Sequence, residues 1–145
     1  MITQISRDNL PLLESAVRRF RGAGDVEDAR AFAGAPAALA FVASEGAAVL
    51  GWCWGHHLAR PDSAPMLYLH HLEVAEAHRR RGVGRELVRA FMAAGAKGGA
   101  TKMFLTTGVA NAAARALYES LGGGLAEQGR TENYWFLLDP WQGRA

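Results

Sequence analysis

The sequence predicts a mixed α/β fold with a mostly antiparallel central sheet, one parallel βαβ pair and helices on both faces of the sheet. Residues 38–44 and 47–58 are rich in β-branched and aromatic side chains around a Glu45-Gly46 turn, which is the pattern of a β-hairpin. Strand-like stretches at 66–74 and 102–107 flank an amphipathic helix, and that connection makes the two strands parallel. With 145 residues, 50% of them hydrophobic, we expect a single domain over residues 1–145.

The chain before the hairpin predicts a short strand and two helices. Residues 2–5 form the strand. Asp8 is placed to cap the first helix, Pro11 falls in its first turn, and apolar residues recur at helical spacing as far as Phe20. Asp25 is placed to cap a second helix that ends near Phe32.

The chain after the hairpin alternates between strands and helices bounded by glycine or loop-forming residues. These elements are a strand over 66–74, a helix from Gly84 to about Gly98, a strand over 102–107, a helix capped by Asn111 that stops at Gly122, and two short strands over 125–128 and 133–138.

The charge of the chain is concentrated in one segment. The net charge is +2, but residues 79–89 carry five arginines and one glutamate, which leaves −2 for the rest. A nucleic-acid surface spreads its basic residues along a face, so this cluster favours a small polyanion and argues against a nucleic-acid partner.

No apolar stretch reaches the ~18 residues of a membrane span, so we expect no membrane partner. The single Cys53 cannot form an internal disulfide, which fits a cytoplasmic protein. We expect its side chain to be a small buried hydrophobe.

The same basic segment joins the end of a strand to the start of a helix. Backbone N–H groups are unpaired there, and the helix dipole adds partial positive charge, so the position attracts phosphate groups. Gly82 and Gly84 let an anion approach the backbone, while Arg79, Arg81 and Arg85 can add charge-assisted hydrogen bonds. The segment lacks the third glycine of a dinucleotide-binding fingerprint and the lysine and hydroxyl residue of a P-loop, so neither of these nucleotide-binding motifs is present.

Two motifs resemble those of the GNAT N-acetyltransferases. Arg79-x-x-Gly82-x-Gly84 after a strand is similar to the acyl-coenzyme A signature of that family. Asn111-x-x-Ala114-x-x-Leu117-Tyr118 is similar to its second conserved stretch. The resemblance covers about residues 67–123 and implies the acyl-CoA N-acyltransferase fold, in which the two parallel strands splay apart. It also implies direct acetyl transfer from acetyl-CoA to an amine, with no metal.

The resemblance further implies which residues act. The strand before the loop would pair with the pantetheine arm and polarise the thioester carbonyl, the loop would hold the pyrophosphate, and Tyr118 would protonate the departing thiolate. The implied cofactor-binding residues are Leu72, Glu73, Val74, Arg79, Arg80, Arg81, Gly82, Val83, Gly84, Arg85 and Asn111.

The strand over 66–74 carries the candidates for the general base that deprotonates the amine. By alternation Tyr68, His70 and Leu72 would share one face and Leu69, His71 and Glu73 the other, unless a β-bulge resets the phase. We expect His70 to be the base because histidine titrates near neutral pH and because its position matches that of a histidine in arylalkylamine-type members. His71 and Glu73 are alternatives. A metal site that adds His56 and His57 is disfavoured, since adjacent residues on a strand point to opposite faces.

The sequence does not identify the amine that accepts the acetyl group. The His78-Arg79-Arg80 run and the Ala116-Leu117-Tyr118 segment resemble those of small aminoglycoside 3-N-acetyltransferases. However, His71 stands where those enzymes carry an aspartate, and a polycationic drug favours carboxylates. An aminoglycoside, a polyamine, an arylalkylamine and a peptide amine all remain as acceptors, and a non-catalytic acyl-CoA sensor is the alternative function. The apolar stretch at 134–138 suggests a homodimer.

Overall fold

The computed structural model describes residues 1–22 and 26–138. Within those residues the strands are β1 (Ile2–Gln4), β2 (Ala38–Glu45), β3 (Ala48–Leu58), β4 (Met66–Val74) and β5 (Lys102–Phe104), and the α-helices are α1 (Leu10–Arg21), α2 (Val26–Gly34), α3 (Val83–Lys97) and α4 (Ala112–Ser120). Short 3-10 turns lie at Arg7–Asn9 and Glu76–His78. No helix in these ranges is long and apolar enough to cross a bilayer.

The described strands form one mixed sheet in the order β1-β2-β3-β4-β5. The first four strands pair antiparallel, and β5 pairs parallel to β4. The connection between β4 and β5 runs through α3, as a parallel pair requires. The predicted fold class is therefore confirmed.

The sheet has a hydrophobic cluster on each face. On one face, Leu67 and Cys53 pack with Leu87 and Phe91 of α3. On the other face, α1 and α2 pack against a cluster that includes Trp52. The Cys53 thiol is fully buried, and burial raises its pKa to about 12. Cys53 is thus a core residue, as the sequence predicts.

The start of α1 differs from the prediction. Ser6, not Asp8, is the capping residue: its hydroxyl accepts from the amide of Asp8, and the Asn9 side chain accepts from the amide of Ser6. This reciprocal capping box adds a 3-10 turn before α1, so Asp8 lies inside that turn. The predicted cap at Asp25 lies outside the described residues.

The C-terminal part of the chain also differs from the prediction. Strand β5 ends at Phe104 rather than at residue 107, and no strand forms over 125–128 or 133–138. A run of apolar and aromatic residues forms a stable strand only where a neighbouring strand accepts its hydrogen bonds. The side chains from Tyr134 to Leu138 are instead 74–96% exposed.

Candidate active site

A fork opens between the two parallel strands. β4 and β5 pair only at Met66–Lys102, Leu67–Met103 and Tyr68–Phe104, while β4 continues to Val74. Because the amide of Ala75 donates to the carbonyl of Leu50 on β3, alternation turns the main-chain groups of Leu72 and Val74 away from β3. In the described chain these main-chain groups have no strand partner on the side away from β3, and such groups can pair with an extended ligand.

A β-bulge lies just beyond the apex of the fork. Trp54 of β3 pairs with His71 and Gly55 pairs with Leu69, so His70 is the extra residue. His70 shares the face of Tyr68 as predicted, but the bulge resets the alternation, so the assignment of faces by simple alternation is wrong from His71 onward. Leu69 and Leu72 both pack toward the α3 face.

The polar side chains after the bulge lie together on the opposite face. His70 stacks on Trp54 with ring centroids 4.3 Å apart, and the ring centroid of His71 lies 6.2 Å from that of Trp54. His71 Nε2 lies 3.0 Å from Glu73 Oε1, so Glu73 shares that face. The three candidate bases are thereby brought together on the α1 and α2 side of the sheet.

The predicted phosphate loop has a conformation suited to binding an anion. Arg80 and Gly82 adopt positive φ angles of 65° and 83°, and α3 begins at Val83. Successive amides in such a turn point into one concavity, which the N-terminus of the helix extends. The amides of residues 81–85 donate no hydrogen bond to any other part of the described chain. A Cβ on Gly82 would meet no protein atom within 4 Å, so the space beside this residue is open.

The other residues of this loop mainly fix its position. The Nε–H of Arg79 donates to the carbonyl of Val74 at 3.1 Å, and the guanidinium of Arg85 donates to Ser120 Oγ on α4 at 2.7 Å. A Cβ on Gly84 would lie 3.3 Å from Leu117 Cδ2, so this glycine allows α3 and α4 to pack closely. Arg80 and Arg81 keep exposed side chains beside the concavity.

The second predicted motif forms α4. The Asn111 side-chain oxygen accepts from the amide of Ala114 at 3.1 Å, which confirms the predicted cap. Tyr118 is half-buried on the α3 face of the sheet. Burial raises the pKa of its phenol, and the nearby Cys53 adds to that shift. Tyr118 therefore stays protonated at neutral pH, as a proton donor must.

On the other face, His70 is available as a proton acceptor. Its side chain is exposed at the fork, and partial burial together with His71 and His56 lowers its pKa. His70 is therefore neutral at pH 7. Tyr118 and His70 therefore lie on opposite faces of the sheet.

Several side chains at the site have no signal in the sequence. Arg21, at the end of α1, places a guanidinium nitrogen 3.4 Å from both ring nitrogens of His71. Trp52 Nε1–H lies 3.5 Å from Glu73 Oε1. Arg21 comes near the site only through the packing of α1.

Within residues 1–22 and 26–138, no group of three or more His, Cys, Asp or Glu side chains could hold a metal ion. His56 contacts Phe32 and Trp54 on the α2 side. His57 Nε2 instead lies near Gly98, beyond the end of α3. The two adjacent histidines therefore point to opposite faces, as predicted.

The comparisons with known proteins agree with this geometry. The model of the acetyltransferase (GNAT) family matches residues 9–123. The structure is similar to an aminoglycoside acetyltransferase, meta-AAC0020, from an uncultured soil metagenomic sample, solved in complex with sisomicin (TM-score 0.85, 19% identity, 96% of each chain). It is also similar to the aminoglycoside N-acetyltransferase AAC(6')-Iy in complex with CoA (TM-score 0.75, 20% identity, 95% of this chain and 100% of that one).

A third similar structure is a ribosomal-protein-alanine N-acetyltransferase from Brucella melitensis biovar Abortus 2308 (TM-score 0.67, 21% identity, 93% of this chain and 98% of that one). A search of curated protein sequences found no match. At these identities the solved structures establish the fold, while the family model covers most of the chain. The chain belongs to the GNAT family and is an acetyl-CoA-dependent N-acetyltransferase.

Proposed function

We propose that this enzyme moves an acetyl group from acetyl-CoA directly to the primary amine of a small molecule or peptide. The observation that carries the proposal is the fork. Its open side is flanked by Leu72 and Val74 main-chain groups and followed by the amides of residues 81–85, which donate to no other residue that the structure describes. A diphosphate held at those amides would direct its attached arm along β4 toward the bulge at His70.

The residues present fit coenzyme A. Charge-assisted hydrogen bonds from the amides of residues 81–85 suit a diphosphate, and the exposed Arg80 and Arg81 add positive charge. Leu72 and Val74 offer the main-chain pattern that an added strand uses, which suits the amide groups of pantetheine. We retain Glu73, Arg79, Val83, Gly84, Arg85 and Asn111 as residues that build or line this binding site.

The thioester supplies an activated acetyl group, and the protein supplies two proton-transfer groups. His70 takes the proton that the amine loses as its nitrogen forms the new C–N bond. Main-chain amides of β4 polarise the carbonyl at the bulge. Tyr118 gives its proton to the sulfur as the C–S bond breaks. Exchange with solvent then removes the proton from His70 and restores the proton of Tyr118. Amine and thioester react within one ternary complex, so positioning supplies much of the rate.

Glu73 and His71 form a second polar pair at the same face, 3.0 Å apart. Glu73 is suited to attract the ammonium group or to accept its proton through water, while His71 links Glu73 to Arg21. We favour His70 as the base because it lies on the bulge itself and is not engaged in a hydrogen bond with Glu73. Comparison of His70→Gln with Glu73→Gln distinguishes the two routes.

The experiment that tests the function is release of free thiol from acetyl-CoA with a panel of amines. Cys53 is the only thiol of the chain and is buried, so it does not interfere. Tyr118→Phe should lower kcat by about 100- to 10,000-fold while the Kd for CoA, measured by calorimetry, is unchanged. Tyr134→Phe removes the hydroxyl of an exposed tyrosine and is the control. Full turnover in Tyr118→Phe would contradict the proposed acid.

We also propose a homodimer in the cytoplasm. Trp135, Phe136 and Leu137 are 80–96% exposed, and a second copy of the chain would remove this apolar stretch from water. Support for the location is the unpaired thiol of Cys53, which suits a reducing compartment.

A further inference from the structure

One face of the fork is aromatic. Phe104, Tyr68, His70 and Trp54, which we call the aromatic row, run from β5 across β4 to β3 on the side that faces α1 and α2. Neighbouring ring centroids are 4.7 Å apart for Phe104 and Tyr68, 5.4 Å for Tyr68 and His70, and 4.3 Å for His70 and Trp54. The row is therefore continuous across the apex of the fork.

The row begins where the substrates must meet. Tyr68 and Phe104 are the last parallel pair before β4 and β5 separate, and His70 is the bulge residue that follows. His70 is exposed, and Phe104 is 42% exposed. A ligand lying on Phe104 and Tyr68 would hold a short side arm near His70.

The charges on this face do not suit a polycation. Glu73 provides a carboxylate there, but its Oε1 already lies 3.0 Å from His71 Nε2 and 3.5 Å from Trp52 Nε1. The guanidinium of Arg21 lies against the same His71 and adds positive charge. A ligand with several ammonium groups would meet that cation, while Glu73 supplies one carboxylate, which suits a single ammonium group.

We propose, building on the proposed function, that the acceptor is a small primary amine joined to an aromatic ring by a short alkyl arm. The ring stacks against the exposed side of Phe104 and Tyr68, and the amine reaches His70 at the bulge. One positive charge is then enough, and the flat apolar part of the ligand is recognised by the aromatic row rather than by carboxylates.

The test compares two amines of the same skeleton, 2-phenylethylamine and 2-cyclohexylethylamine, with sisomicin and spermidine as polycations. Ring stacking should favour the phenyl compound in kcat/KM by about 2- to 10-fold. Phe104→Leu should abolish this preference. The matched control Phe32→Leu removes a phenyl ring that contacts Trp54 and His56 but neither Tyr68 nor Phe104, and it should keep the preference.

Calorimetry of the same two amines with the CoA-bound protein gives a readout independent of turnover, and the phenyl compound should bind more tightly by a similar factor. Faster thiol release with sisomicin or spermidine, or equal binding of the phenyl and cyclohexyl compounds, would overturn the aromatic acceptor but leave the acetyltransferase function intact. No thiol release with any amine, together with no CoA binding, would instead contradict the proposed function. Melting curves confirm that both phenylalanine variants are folded.

Discussion

Replacing Gly82 with alanine perturbs the anion-binding turn with a single methyl group. Gly82 has a φ of +83°, and an added Cβ would project into open space with no protein atom within 4 Å. In the proposed complex, the diphosphate of coenzyme A would occupy that space against the amides of residues 81–85. The variant should therefore affect both the backbone and the binding site.

Gly46 provides a matched control. It lies in the turn between β2 and β3, has a φ of +59°, and an added Cβ there also meets nothing within 4 Å. Forcing alanine into a left-handed conformation costs about 1–2 kcal/mol of folding free energy at either position. Both variants should thus lower Tm by about 3–8 °C relative to the parent protein.

Only Gly82→Ala should weaken cofactor binding. Displacing the diphosphate from one amide loses a hydrogen bond to a charged group, which is worth about 1.5–3 kcal/mol. The Kd for CoA should then rise by about 10- to 150-fold in Gly82→Ala and stay unchanged in Gly46→Ala. Calorimetric titration with CoA measures both values, and melting followed by circular dichroism measures the shared loss of stability. Equal CoA affinity in the two variants would refute the proposed position of the diphosphate.

Three further predictions concern the base, the thiol and the assembly. Because the His70 pKa is lowered from 6.5, kcat should be constant from pH 7 to 8 and fall only as the pH drops below ~6.5, where His70 becomes protonated. His70→Gln should lose most activity and should no longer show this fall of kcat at acid pH. An unchanged dependence of kcat on pH in the variant would exclude His70 as the base. Burial raises the Cys53 pKa to about 12, so Ellman's reagent at pH 8 should label the thiol only after denaturation, and rapid labelling of the native protein would disprove its burial. Light scattering at micromolar concentration should give a dimer mass for the parent and a monomer mass for Trp135→Glu, since a charge at an apolar interface is costly, and a monomeric parent would rule out the dimer.

The parts of the site that local sequence determines were predictable. The glycines and arginines of residues 79–85 specify a turn and a helix start, and both formed where the spacing indicated. Asn111 caps α4 through its own side chain, an interaction that spans only three residues. The parallel arrangement of β4 and β5 follows from the helix between them. Such features depend on neighbours close in the chain.

The parts that depend on distant neighbours were not predictable. The bulge at His70 arises from the register between β4 and β3, and it moved Leu72 to the other face from the one that simple alternation assigns. Arg21 contacts His71 from 50 residues away through the packing of α1. The residues at 134–138 form a continuous apolar run that favours a strand, yet no strand partner pairs with them in the described chain. Such a run becomes a strand only when a partner strand is present.

The most direct test is a crystal structure of the protein with coenzyme A. The diphosphate oxygens should lie about 2.7–3.2 Å from the amide nitrogens of residues 81–85, with the pantetheine arm between β4 and β5 and its sulfur between Tyr118 and His70. Coenzyme A bound elsewhere, or β4 and β5 paired along their full length with no gap between them, would contradict the account.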